Sequence, residues 1–397
     1  MPIPANPPRP TASHETARPQ SRASVPWYIW IGVIAVTCSS VGLAWDLAWH
    51  RSVGRDTFWT PAHLVIQFEG LLAAVVGIWL VAQCTLDRDP EMRAASVGIL
   101  GLRAPLGVFL AGWGGVAMFT SAPFDNWWHG AYGLDTRIVS PPHALLLVGI
   151  SAVSFGMLFL VLAAMNRAAA QGTSNFSLLQ KLLLYIGGLA LASQMTFVQE
   201  YTRDIRLHQA LPYIAIAIAI PVLLAAFSEA SRFRWAATAM AGIYMAVRIA
   251  EVLIVPLFPA QPKLGPVFNP ITHLMPGKFP ILIIVAALAL DLLWQRARSW
   301  KLWQVAIVSG IVFVAVLVAV EWPFADFLMS KASANRFFGT IYFDYTLHAD
   351  GYDRTRRFIT PQSGRVLLKG LLRACVYAIM STGIGLAFGR WMRGLQR

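Results

Sequence analysis

Residues 302–322 read LWQVAIVSGIVFVAVLVAVEW, a run with no charged side chain before Glu321. Coiled as a helix, such a run is about 30 Å long, the thickness of a bilayer's hydrocarbon core. Nine further apolar runs lie near 27–49, 62–83, 98–119, 142–165, 178–199, 209–227, 235–257, 279–294 and 365–389. The chain of 397 residues is 57% hydrophobic and 13% charged, with a mean hydropathy of +0.57. Soluble domains run about 45–50% apolar and about 25% charged, so this much apolar surface has nowhere to hide in water. In hydrocarbon only helices or closed barrels pair every backbone group, and these runs are too long and too uniformly apolar for barrel strands. The fold class expected is therefore all-α, a polytopic transmembrane helical bundle of about ten spans over residues 27–397.

The net charge of +13 reports topology before it reports a partner, and no nucleic acid is implied. An even number of spans puts both termini on one side. That side carries Arg9, Arg18 and Arg22, then Arg88, Arg93, Arg167, Lys181, Arg232, Arg234, Arg296, Arg298 and Lys301, and finally Arg390, Arg393 and Arg397. By the positive-inside rule it is cytoplasmic, although the outward segment between Glu321 and Arg365 also holds Lys331, Arg336, Arg354, Arg356 and Arg357. The spans then pair into five outward-pointing hairpins, and the expected setting is a bacterial inner membrane. Residues 1–26, rich in Pro, Ser, Thr, Ala and Arg, read as a disordered cytoplasmic tail. The run at 27–49 is too long for the h-region of a cleaved signal peptide. Cys38, Cys84 and Cys375 are scattered, which leaves neither a disulfide framework nor a C-x-x-C metal set.

The unusual residues gather at the outer turns. The first reads WDLAWHRSVGRDTFWTPAH, Trp45 to His63, and the second FDNWWHGAYGLDTRIVSPPH, Phe124 to His143. In both, an Asp and a His stand four apart, an Asp-Thr pair begins six residues later, and a Pro-containing step delivers a second His to the start of the next span. This is an internal repeat, and it makes residues 27–165 a pair of duplicated hairpins. Spacing of four puts Asp46 and His50 on one helix face, and His63 enters from the next helix; Asp125, His129 and His143 offer the same roles. Two imidazoles and a carboxylate suit copper, zinc or non-haem iron. A single trio of this kind is more often an interfacial polar cluster among Trp and Tyr anchors. Four of the chain's eight histidines in matched places weigh against that reading.

These strings resemble the metal-binding region of the C-type membrane subunit of the copper membrane monooxygenases, the particulate methane and ammonia monooxygenases. That family spaces one site D-x3-H-x12-H, as do Asp46, His50 and His63, and a second N-x3-H-x13-H, as do Asp125, His129 and His143 with Asp in place of Asn. The resemblance covers about the first 170 residues. It implies copper as cofactor, a component that oxidises a small apolar substrate with dioxygen, and companion membrane subunits or a homo-oligomer. The chain departs from the family in having more spans and no large soluble copper-binding region.

The alternative expectation is a metal-ion transporter or sensor whose turns are extracytoplasmic uptake sites. Transport needs a polar path at membrane depth, so it turns on whether Glu69, Arg248, Glu251 and Glu321 converge on one cavity. Arg248 and Glu251, three apart, read as a structural pair. Glu200, Asp204 and His208 form an outward cluster, and His273 follows Pro270; each is more readily a solvated group than a ligand. The last turn, FDYTLHADGYDRTRRFITPQS from Phe343 to Ser363, echoes the first in Asp344, His348, Thr360 and Pro361 but ends in Ser363 instead of a second His.

Overall fold

A backbone without water around it must pair its own N–H and C=O groups, and the apolar runs do so as helices. The computed structural model describes residues 24–54, 57–133, 140–202, 207–263, 271–339 and 361–396, with the side chains of 199–202 not among them. The tail to residue 23, both Asp-Thr pairs' aspartates, Asp204, Asp344, His348 and Thr360 lie outside the described residues, as does the side chain of Glu200. The helices are α1 (Trp27–Ser52), α2 (Pro61–Thr85), the short α3 (Pro90–Ala94), α4 (Leu106–Tyr132), α5 (Pro141–Gln171), α6 (Phe176–Thr202), α7 (Ala210–Ser231), α8 (Ala236–Ile254), α9 (Ile283–Arg296), α10 (Leu302–Leu328) and α11 (Gly364–Arg393). A small antiparallel ribbon, Val97–Ile99 with Leu102–Ala104, lies between α3 and α4.

Among the described residues nine helices are long and apolar enough to cross a membrane: all of these except α3 and α9. The protein is an all-α, integral membrane protein. The apolar run at 279–294 is only in part a helix. Pro276 and Pro280 remove backbone donors and block helix formation, so α9 has 14 residues and is preceded by non-helical chain. That chain is paired by side chains from its neighbours. Met275 N–H donates to Ser52 Oγ (2.6 Å), Gly277 N–H to Glu251 Oε1 (2.8 Å), Ile281 N–H to Tyr244 Oη (3.0 Å) and Leu282 N–H to Glu321 Oε1. The buried acids Glu251 and Glu321 thus stand in for the missing helical carbonyls.

At one end of the bundle Asn166 donates to the carbonyls of Met392 and Leu395, Arg167 to that of Gln396, Asn175 to that of Ser24 and Gln180 to that of Ser231. The two repeated turns lie at the other end, where α1 meets α2 and α4 meets α5. Two close approaches set those meetings. Gly107 and Gly114 of α4 face Gly156 and Gly149 of α5, and a Cβ at Gly107 would fall 2.2 Å from Gly156 O. Gly42, one turn before Asp46, lies against the first turns of α2, where a Cβ would sit 2.9 Å from Ile66 N and 2.7 Å from Ile66 Cγ1.

Because the backbone of α2 as well as the Ile66 side chain faces Gly42, a Gly42→Val substitution is expected to cost about 1–3 kcal/mol by overpacking. Unfolding in lipid discs measures it, and an unchanged midpoint would contradict the packing described.

Candidate metal centre

Helix α1 continues past Asp46 through His50 to Ser52, so the two side chains stack one turn apart. His50 Nε2 lies 3.7 Å from Asp46 Oδ2. Helix α2 begins at Pro61, a residue suited to the first helical position because its missing N–H would have no partner there. The turn before it is closed by Thr57 N–H donating to Thr60 Oγ1 at 3.0 Å. His63 therefore enters in the first turn of α2, with Nε2 3.0 Å from Asp46 Oδ1. One ligand atom from each of Asp46, His50 and His63 lies within 4.8 Å of the others. The side chains of Asp46 and His63 are 18% and 16% exposed and that of His50 38%, so the trio is walled on the protein side and open beside His50.

The second turn repeats this arrangement more loosely. Asp125 and His129 occupy the last turns of α4, and His143 the first turn of α5. His129 Nε2 and His143 Nε2 lie 3.5 and 3.7 Å from the same oxygen, Asp125 Oδ1. Among the described residues the first trio is the one gathered within 4.8 Å.

The far side of each ring fixes what faces the carboxylate. His63 Nδ1 is 3.0 Å from the carbonyl of Thr57, and His129 Nδ1 is 2.9 Å from that of Gly133. A carbonyl can only accept, so Nδ1 carries the hydrogen, and in the neutral ring Nε2 presents a lone pair. His143 Nδ1 is held 3.0 Å from Ser140 Oγ. Lone pairs thus point at a carboxylate, and Asp46 Oδ1 and Asp125 Oδ1 are both shut off from solvent without accepting a hydrogen bond of usable geometry. Two electron-rich groups held this close call for a cation between them, a proton or a metal ion. Anchoring the second ring nitrogen on a carbonyl is also how proteins orient metal-binding imidazoles. The residues present fit a metal.

The two trios also share a cleft. His63 from the first and Asp125 and His143 from the second line one cavity of about 30 Å³, walled by Phe58, Ile66 and Leu146. Gln67 and Ser121 add polar atoms to its lining. That volume holds roughly one water-sized molecule. Sequence spacing shows each trio but not that they meet; the signal for it is Gln67, one turn after His63, which donates to the carbonyl of Met118 on α4 at 3.5 Å.

The other candidates lie apart. Glu69 is fully buried and accepts from Ser154 Oγ at 2.9 Å. Arg248 and Glu251 form the expected buried pair, with Arg248 also reaching Thr196 Oγ1. His208 is buried at 2% exposure, 2.9 Å from Asp326 Oδ1 and edge-on to Trp322, a partnership across α10 that local spacing does not reveal. His273 is exposed beside Thr272.

Comparison with protein-family models, with curated proteins and with solved structures found no match.

The tighter trio should fill first. Titrating metal-free protein with Co²⁺, followed by its visible absorption, should give two phases, and His63→Ala should remove the tighter one. Loss of that phase from Asp125→Asn with His63→Ala unchanged would reverse the order.

Proposed function

We propose that the protein is an integral membrane copper protein, resembling the C-type membrane subunit of the copper membrane monooxygenases. It holds copper at Asp46, His50 and His63 and at Asp125, His129 and His143. The observation that carries this reading is the pair of shielded carboxylate oxygens that accept no hydrogen bond, Asp46 Oδ1 at 3.0 Å from His63 Nε2 and Asp125 Oδ1 at 3.5 and 3.7 Å from His129 and His143 Nε2. Copper is the choice that the family-like spacing favours; zinc and iron suit the same donors.

Bound copper supplies redox chemistry toward dioxygen that no side chain here offers. The chain's own part is to hold the donors and control access. His63 and His129 are kept with Nε2 inward by the Thr57 and Gly133 carbonyls, and Asp46 and Asp125 offset the ion's charge. Phe58, Ile66 and Leu146 keep the shared cleft small and apolar, which suits a component that oxidises a small apolar substrate. We further infer five outward-pointing hairpins, termini and short basic links in the cytoplasm of a bacterium, and companion membrane subunits or further copies of the chain.

The transporter alternative draws less support. Glu69 is engaged by Ser154, Arg248 by Glu251, and Glu251 and Glu321 by backbone N–H groups of the non-helical chain before α9. Each of the four thus has a partner within the bundle, while Glu69 Oε2 accepts none.

Protein purified from native membranes is expected to hold up to about two equivalents of copper per chain. Replacing both His50 and His63 with Ala should remove about half of it and abolish any copper-dependent dioxygen consumption that needs both trios. Full copper retention by that variant would refute the first-site assignment; copper bound without dioxygen consumption by the intact protein would leave copper handling as the function. Cysteines at Gly54 and Gly133 should react with an impermeant reagent from outside the cell and one at Ser299 should not, the reverse pattern inverting the topology.

A further inference from the structure

A wide cavity lies at the other end of the bundle from the metal trios. It measures about 610 Å³ and is lined by five arginines: Arg232 and Arg234 from the turn between α7 and α8, Arg298 from the turn between α9 and α10, and Arg390 and Arg393 from the last turn of α11. Its two acids are already committed. Glu229 pairs with Arg393 at 3.1 Å, and Asp291 caps α8 by accepting from Thr238 N–H at 2.8 Å and Thr238 Oγ1 at 2.7 Å. Arg234 is fixed by Gln295 and stacks over Trp235. Arg232, Arg298 and Arg390 are exposed and have no hydrogen bond or ion pair among the described residues. Arg232 also sits at φ +57, a backbone state usually given to glycine or asparagine.

The positive-inside rule accounts for basic residues at this end, but not for the convergence of five on one concavity whose acids are neutralised. Such a basin suits a phosphate group, which guanidinium forks bind in bidentate fashion. Trp294, Trp300 and Leu386 line the same space, and Trp at the ends of spans sits at the level of lipid headgroups. We propose that this basin binds the phosphate of an anionic phospholipid, with Arg232, Arg298 and Arg390 making the contacts. Basic pockets between spans on the cytoplasmic side are a known form of headgroup site. Free phosphate shares the chemistry but lacks the local concentration that a membrane provides.

The test is lipid retention by the full chain, read by native mass spectrometry after reconstitution in discs of phosphatidylcholine with phosphatidylglycerol. The wild type should retain phosphatidylglycerol selectively. Combining Arg232→Gln, Arg298→Gln and Arg390→Gln should weaken that selectivity by roughly a hundredfold if the three act independently, while Lys181→Gln, a basic residue at the same end outside the basin, should leave it intact. Circular dichroism checks folding, and if the triple variant does not fold the three single variants are read in the same way, each losing about fivefold. Wild-type selectivity in the variants, or equal loss in Lys181→Gln, would overturn the proposal. Displacement of the lipid by millimolar inorganic phosphate would keep the arginine site but make free phosphate its ligand, overturning the lipid assignment.

Discussion

Hydrocarbon offers no hydrogen bonds, and the rest of the structure follows from that lack. Each backbone N–H at membrane depth must find a protein partner, which is why the apolar runs coil into helices and why the break before α9 carries its own polar escort. Before α9, two prolines forbid the helix, and Glu251, Glu321, Tyr244 and Ser52 supply the acceptors that helical carbonyls would have given. Buried acids that in sequence resemble a transport path are, in the fold, backbone partners. Polar chemistry is thereby displaced to the two ends of the bundle.

At one end the displaced groups face each other across helix pairs. Glycine contacts bring α1 onto α2 and α4 onto α5, and the helix ends carry Asp and His into the space between. The stability of each trio without a metal rests on a cation in any case, because a carboxylate walled from water and opposed by imidazole lone pairs is unfavourable. A proton can serve, giving an imidazolium that donates from Nε2 to the carboxylate while Nδ1 keeps its carbonyl; a metal ion uses the Nε2 lone pairs as they stand. That both trios border a single small apolar cleft is what connects metal binding to a reaction in the proposed reading. At the other end five arginines converge on a wide basin.

Much of this was legible in the sequence. The spans were, because length and apolarity are local properties, and so were the trios, because a spacing of four on a helix and a Pro-led return to a second His fix where side chains can meet. Helix α9 was legible only as an apolar run: Pro276 and Pro280 marked the break, but the acceptors that stabilise a non-helical chain there come from α1, α8 and α10, far away in sequence. The pairing of His208 with Asp326 and the shared cleft were hidden for the same reason, each depending on which helices touch. The unequal gathering of the two trios was not legible either, since Asp46 and Asp125 have nearly identical local spacing.

The most direct test of copper binding at the paired trios is a crystal of copper-loaded protein measured by anomalous diffraction at the copper edge. Two peaks are expected, one between Asp46, His50 and His63 and one between Asp125, His129 and His143, each in bonding range of imidazole Nε2 atoms. Peaks elsewhere, or both trios closed by hydrogen-bonded protons with no copper density, would contradict it.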